Sequence, residues 1–294
     1  MKTILHADDF GPSQNISNDI LELCREGVVT SLSIMANGAY FEEGSEALKK
    51  LAQIPKISIH LNLVEGFPLL KPEEVPHLVS ADGEFNNGFG KLWLKHLLMS
   101  TQEKAVFESE IKRELRAQIL KIQNTFGHDR SYALDSHTHF HLIPFIFRIL
   151  LELCKEHHIS RVRLTLEPFY IHIKSFRDFL NYLSPNIGKF LLLRSLSEWH
   201  RSLLIANGIT FPQKFIGVLF TGKMSFSVVQ TALNKVRTEE DVEILFHPGT
   251  LLPQEKYFGS NQQFIKYYQD PTRLKEKHEM CRREWNEIIK EKTP

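Results

Sequence analysis

Aspartate and histidine gather in four short stretches of this chain, each closing a run of strand-forming residues. Asp8 and Asp9 follow TILHA near the N-terminus, and His60 lies within KISIHLNL. Asp135, His137, His139 and His141 share DSHTHFHLIP, and His247 precedes Pro248 and Gly249 in VEILFHPG. In parallel α/β folds, sites form where strands end and loops begin. Each stretch alone has a structural explanation. Asp before Gly suits a turn, His60 suits a hydrogen-bonded core position beside Ser58 and Asn62, and His247 suits a loop. Their recurrence at the same end of successive strands points instead to one shared site. One carboxylate and two imidazoles form a facial ligand set for a divalent ion and leave positions open for water and substrate. Such an ion lowers the pKa of its water towards neutrality. A second, unligated carboxylate can then take the proton, and a separate imidazole can return one to a leaving group.

Two geometric conditions follow. Adjacent Asp8 and Asp9 on an extended chain point to opposite sides, so both serve one site only if the backbone bends there. His137, His139 and His141 share one face of an extended strand, at about 6 to 7 Å between neighbours. That separation is too wide for an adjacent pair to hold one ion tightly. The expectation is one ligand and two supporting residues, with the choice among the three left open by spacing alone.

The elements that must position these residues alternate. Strands are predicted at 3–7, 28–36, 56–63, through YALDSHTH, and at 160–166, 215–220 and 242–249. Helices are predicted from Ser13 to Gly27, at 42–52, at 143–156 and at 225–236. Ile111, Leu115, Ile119 and Ile122 mark the core stripe of a long helix. Residues 64–92 break the rhythm with Pro, Gly and Asn and read as a long excursion of the lid or binding-loop kind. Residues 167–208 form a second insertion with two helices. The tail beyond 260 reads as polar and helical, with Phe264, Tyr267 and Tyr268 packed on the body. Strand–helix repetition implies a parallel sheet with helical crossovers and about seven strands. An open doubly wound sheet and a closed barrel both satisfy it.

Composition narrows the function classes. The chain has 294 residues, with 36 basic against 35 acidic, and 42% are hydrophobic. No basic block is present, so neither nucleic acid nor strong attraction to an anionic membrane is expected. Cys24, Cys154 and Cys281 lie far apart, which suits reduced thiols and a cytoplasmic location. The N-terminus lacks the apolar run of a signal peptide, and no stretch is apolar for the ~18 residues that a membrane span needs. GxGxxG after the first strand, GxxxxGK[ST] and GxSxG are all missing, so nucleotide-binding and serine-hydrolase readings lose their usual support.

ADDFG, HLNLVEG, DSHTHFHLIP and FHPG, in this order from residue 7 to 249, resemble the YdjC-like carbohydrate deacetylase family. Its best-known members remove N-acetyl groups from chito-oligosaccharides, and a subgroup is associated with hopanoid biosynthesis. LVEGFPLLKPEEVPHLVSADGEF is more similar to that subgroup. The resemblance implies a distorted TIM-barrel-like (β/α) fold, with residues 1–294 as a single catalytic domain. It implies one divalent metal ion, magnesium or zinc. It assigns Asp9, His60 and His137 as ligands, Asp8 as catalytic base and His247 as general acid. Asp135 would orient the site, and His139 or His141 would reach the pocket. Arg163 in RVRLTLEP would steady the substrate or pair with Glu167 or another site acid. Glu114 and Gln118 also match the family pattern, with structural roles sufficient for them. His6, where the family more often has Thr or Asn, receives no role. The implied substrate is an acetylated amino sugar or glycolipid, and a homodimer is the family-level expectation. Phe67, Phe85, Phe89 and Trp93 are candidates for stacking on sugar rings or for anchoring the excursion. The competing readings are another metal-dependent barrel hydrolase, an amidohydrolase or phosphoesterase, and a non-catalytic metal- or sugar-binding protein. Amidohydrolases and phosphoesterases often open with an HxH pair on the first strand. Pure metal binding would need neither a spare Asp8 nor a distal His247.

Overall fold

The computed structural model describes residues 2–285 and Ile288. Its strands are β1 (Thr3–Phe10), β2 (Ser31–Ile34), β3 (Lys56–Leu61), β4 (Ala133–Ser136), β5 (Arg161–Val162), β6 (Lys214–Ile216) and β7 (Val242–Phe246). The helices are α1 (Gln14–Arg25), α2 (Phe41–Lys49), α3 (Phe89–Leu98), α4 (Thr101–Phe126) and α5 (Pro144–Glu156). They continue with α6 (Phe176–Asn181), α7 (Pro185–Ala206), α8 (Phe226–Leu233), α9 (Gln262–Tyr268) and α10 (Pro271–Met280).

Seven parallel strands form one sheet in the order β5-β4-β3-β2-β1-β7-β6. It curls into a half-barrel inside the helices. Among the described residues no ladder joins the edge strands β5 and β6, so the sheet does not close by strand pairing. β1 lies between β2 and β7, and all eight of its residues are buried. Being covered on both faces, these strands read as nearly continuous apolar runs, and the few polar residues within them stand out.

The helices form where capping and periodicity predict. Ser13 caps α1 by accepting from the Ile16 N–H, and Ile16, Ile20, Leu23 and Cys24 face the sheet. Ser100 and Glu103 make a reciprocal capping box on α4, whose buried stripe includes Ile111, Leu115, Ile119 and Ile122. Among the described residues, no helix is long and apolar enough to cross a membrane.

The 64–92 excursion is tied to the body. The Leu69 and Leu70 N–H groups donate to the Glu114 carboxylate at 3.0 Å, and the His77 N–H donates to Glu110 at 2.9 Å. Gln118 clamps the backbone of Asn62, accepting from its N–H and donating to its carbonyl. Glu114 and Gln118 therefore act through the backbone they hold. Phe85 is buried as an anchor and Phe67 is exposed, while Phe89 and Trp93 pack edge to face at 6.0 Å.

Several expected strands are shorter than predicted: 28–36 forms only Ser31–Ile34, and 215–220 only Lys214–Ile216. The 160–166 run contributes only Arg161 and Val162 to the sheet. YALDSHTH leaves the sheet at Ser136 and turns into a 3-10 coil over His137–Leu142, with Thr138 at φ 59° and His139 at φ 60°. The extended geometry expected for the three histidines does not occur. Two successive left-handed residues end the period-2 alternation.

Candidate metal centre and active site

The site begins with a bulge. β1 and β2 pair in register at Ala7↔Leu32 and resume at Phe10↔Ile34, so β1 carries one extra residue there. Asp9 absorbs it with φ at 66°. Bulges re-aim side chains, and aspartate tolerates the left-handed region. The bend that the sequence demanded is present, and Asp8 and Asp9 both line one cavity of about 180 Å³. His60, His137, Thr138, His139, Lys189, Thr221, His247, Gln263, Phe264 and Tyr267 complete its wall.

Asp9, His60 and His137 meet at the floor. Each offers a ligand atom, and these atoms lie within 4.8 Å of one another. Asp9 Oδ1 is 3.6 Å from His60 Nε2 and 3.2 Å from His137 Nδ1. Arg273 anchors the other oxygen, Asp9 Oδ2, at 3.0 Å. Asp9 Oδ1 and His60 Nε2 are buried without hydrogen-bond partners among the described residues. Buried polar atoms are rarely left unpaired. A divalent cation would satisfy this donor set of one carboxylate and two imidazoles.

Neighbours orient the two imidazoles. His60 and Asp135 face each other across β3 and β4, and His60 Nδ1 donates to Asp135 Oδ1 at 2.5 Å, turning Nε2 towards Asp9. His137 Nε2 lies 3.1 Å from Glu65 Oε1, which also accepts from the Tyr268 hydroxyl at 2.7 Å, and Tyr257 donates to Glu65 Oε2. A carboxylate behind each histidine fixes ring orientation and raises ligand basicity. Glu65→Ala is therefore expected to weaken metal affinity roughly 10- to 100-fold, with Glu65→Gln retaining part of it. Calorimetric titration with zinc checks this, and unchanged affinity would remove Glu65 from the site.

The charges suit a cation. Burial alone would depress both imidazoles. Asp8, Asp135 and Asp9 outweigh burial and push His60 up to about 10, and Glu65 and Asp9 push His137 up to about 9. Both shifts favour the protonated imidazole, and a ligating imidazole must give that proton up. Zinc binding at neutral pH is expected to release about two protons, so affinity should rise with pH up to about pH 9 to 10. Calorimetry in buffers of different ionisation enthalpy measures the release. Zero protons released would show that both imidazoles are neutral before the metal binds.

Asp8 belongs to a second layer. Arg163 donates to both of its oxygens at 2.9 Å, and His6 Nε2 lies 3.2 Å from Oδ1. Burial would raise the Asp8 carboxyl, but Arg163, His60 and His6 hold it well below the usual range. Arg163 also reaches Asp135 Oδ2 at 3.0 Å and Glu243 Oε1 at 2.6 Å. Its partners are thus three site carboxylates. Glu167 instead accepts from the Gly217, Val218 and Leu219 N–H groups. His6, Asp8 and Asp135 also have ligand-like spacing, but the Arg163 guanidinium already occupies the two carboxylates as their ion-pair partner.

The remaining histidines separate. His139 lines the cavity and packs edge to face on Phe215 at 6.1 Å. His141 turns inward, where its Nδ1 pairs with Ser136 Oγ at 2.7 Å and its Nε2 donates to the Arg163 carbonyl at 3.0 Å. It supports the backbone of Arg163. His247 stands at the end of β7 on the cavity wall, its backbone N–H donating to Glu276 Oε2 at 2.7 Å. Burial pushes its imidazole down to about 4, so it is neutral at pH 7 in the metal-free fold.

Sequence reading missed Glu65, Lys189, Glu243 and Arg273. Glu65 sits inside the HLNLVEG motif, so a signal was available. Arg273 lies in a polar C-terminal helix, and no local pattern distinguishes a cation that folds back 264 positions onto Asp9. Tyr267 and Tyr268, expected to pack on the body, flank the Arg273 guanidinium at 4.9 and 4.8 Å.

The fold is a curled parallel α/β barrel-like sheet whose strand ends bring together an acidic and histidine group placed to hold a metal. The YdjC-like protein family matches residues 2–291, and the chain belongs to that family. A carbohydrate deacetylase of Danio rerio is 28% identical over 79% of this chain and 70% of its own length. A carbohydrate deacetylase of Brevibacillus brevis is 36% identical over 54% of this chain and 58% of its own. A chitooligosaccharide deacetylase of Citrobacter koseri is 30% identical over 53% and 57%. A solved Enterococcus faecalis structure, described as a candidate cellobiose-phosphate cleavage protein, superposes with a TM-score of 0.66. It is 23% identical and covers 99% of this chain and 94% of its own, and it supports the fold alone.

Proposed function

We propose that this protein is a metal-dependent carbohydrate N-deacetylase. It would act as one catalytic domain, releasing acetate from an acetylated amino sugar or glycolipid. The observation that carries this reading is the β1 bulge. Asp9 turns one free oxygen towards His60 and His137, while adjacent Asp8 enters the same cavity held by Arg163. A site built only to store metal has no use for the second carboxylate. Carbohydrate deacetylases among the similar proteins support the reaction class.

Asp9, His60 and His137 would hold zinc or magnesium. When bound, such an ion supplies Lewis acidity and a water of lowered pKa. Asp8 takes a proton from the attacking water on a carboxylate oxygen, and the bidentate Arg163 pair keeps it ionised and aimed. Asp135 holds the His60 ring through Nδ1. His247 faces the cavity from β7 and protonates the departing amine nitrogen. Because it rests neutral, it must gain that proton during the cycle. His139 and Lys189 contact the substrate beside this centre. The free thiols Cys24, Cys154 and Cys281 suit a cytoplasmic location.

The test is acetate release from N-acetylglucosamine oligomers by protein loaded with zinc or magnesium, before and after chelation. Release that chelator abolishes and metal restores is the expected result. Tight metal binding with no acetate from any acetylated sugar would favour a binding protein. Hydrolysis of phosphate esters in its place would favour a phosphoesterase.

A further inference from the structure

β5 and β6 are the two edges of the sheet, and the half-barrel is open between them. Backbone pairing across this seam is sparse among the described residues. Arg161 pairs with Thr210 upstream of β6, and the Phe215 N–H reaches the Leu166 carbonyl at 3.4 Å. At the next residue a side chain takes over. Glu167 is 1% exposed, and its carboxylate crosses the seam to three successive N–H groups. Gly217 donates to Oε1 at 3.0 Å, and Val218 and Leu219 each donate to Oε2 at 2.9 Å. Gly217 lies two residues beyond Phe215, so the Glu167 side chain stands where the next ladder bond would form. Buried N–H groups must find acceptors, and here one carboxylate serves three of them.

The same residue ties down the cavity wall on both sides of the seam. Thr221 closes the turn after β6 by donating to the Gly217 and Val218 carbonyls at 2.7 and 2.8 Å. Glu167 thus holds this turn by its N–H groups, and Thr221 holds it by its carbonyls. Across the seam, Arg194 of α7 donates to the Glu167 carbonyl, and Ser197 of α7 accepts from the Thr165 N–H at 2.9 Å. α7 carries Lys189, and Lys189 and Thr221 both line the cavity. The metal floor has other supports. Asp9, His60 and His137 come from β1, β3 and the turn after β4. Arg163, which grips Asp8, is fixed to β4 by its own N–H, which donates to the Leu134 carbonyl at 2.9 Å.

We infer that Glu167 is a positioning residue that closes the half-barrel at its open seam and fixes the Lys189–Thr221 wall against which the substrate sits. It acts on substrate binding and leaves metal binding alone. That the occupant is an acetylated amino sugar rests on the deacetylase reading; the clasp does not.

Glu167→Gln tests this. The amide keeps the size but replaces one acceptor oxygen with an NH2 donor, which then faces N–H groups. Hydrogen exchange at the Gly217, Val218 and Leu219 amides should speed up by about tenfold or more. KM for N-acetylglucosamine oligomers should rise by about tenfold or more, with kcat within about threefold and zinc affinity at the wild-type value. Glu167→Asp keeps the charge one methylene short of the seam. It should lie between the two, and the same readouts on it decide the matter if Glu167→Gln does not fold. Lys189→Met should raise KM while the three amides stay protected, which separates the wall from its clasp. Unchanged amide protection or an unchanged KM in Glu167→Gln overturns the inference. So does a loss of zinc affinity, or a fall in kcat that outweighs the rise in KM, which would make Glu167 a support of the metal floor. Amides that are protected in wild type and released in the variant, with no acetate from any sugar, would leave the clasp standing and sink only the deacetylase reading.

Discussion

Asp8→Asn is expected to reduce turnover by roughly 10²- to 10⁴-fold while metal affinity stays near wild type. Asp8 lines the cavity beside the Asp9 ligand atom but stands apart from the Asp9, His60 and His137 group. Its carboxylate accepts from Arg163 through both oxygens, and Oδ2, which His6 does not approach, keeps a lone pair for a water proton. An amide in its place keeps the shape and loses the basicity. Single-turnover acetate release together with calorimetric zinc titration separates the two effects. Turnover within about threefold of wild type would remove Asp8 as base. A parallel loss of metal would make it a ligand. His247→Ala offers a contrast, since turnover should fall with metal retained.

The largest effect on stability is expected at Arg163. It is buried among Asp8, Asp135 and Glu243, all of them buried as well. Removing one partner from a buried ion pair costs about 3–5 kcal/mol, because the other charge is left without compensation. Arg163→Met leaves three carboxylates facing one another, so the loss should lie at or above the top of that range. Arg163→Lys should rescue little, because one ammonium cannot reproduce the fork that grips both Asp8 oxygens while Nε serves Glu243. Denaturant unfolding at pH 7 measures the loss, and a change below about 1 kcal/mol would show that the network tolerates the vacancy. Combining Arg163→Met with Asp8→Asn and Glu243→Gln should recover part of the stability. Stability would return without activity, which distinguishes charge compensation from catalytic alignment.

Four features of the site were readable from short-range chemistry. ADDFG, HLNLVEG, DSHTHFHLIP and FHPG are local, and a strand end is a local event, so the sequence alone could nominate Asp8, Asp9, His60, the histidine cluster and His247. Alternating strand and helix patterns were enough to indicate a seven-stranded parallel sheet. What could not be read was how the backbone turns at each strand end. His137, His139 and His141 look equivalent on an extended strand. The left-handed residues Thr138 and His139 send the first two to the cavity and the third to the Arg163 carbonyl. Asp8 and Asp9 look opposed until a one-residue bulge against β2 reorients them.

Which partner each carboxylate finds was set by tertiary structure alone. Arg163 joins Asp8 from 155 positions away, Arg273 joins Asp9 from 264, and Tyr268 joins Glu65 from 203. Such partners are chosen by burial: a carboxylate taken out of water must find a cation or a donor wherever the fold brings one. The sequence states which side chains have the chemistry, because that resides in residue type and neighbouring spacing. Only the fold decides which of them share a floor, which stand behind, and which face away, because that depends on strand register, bulge and turn.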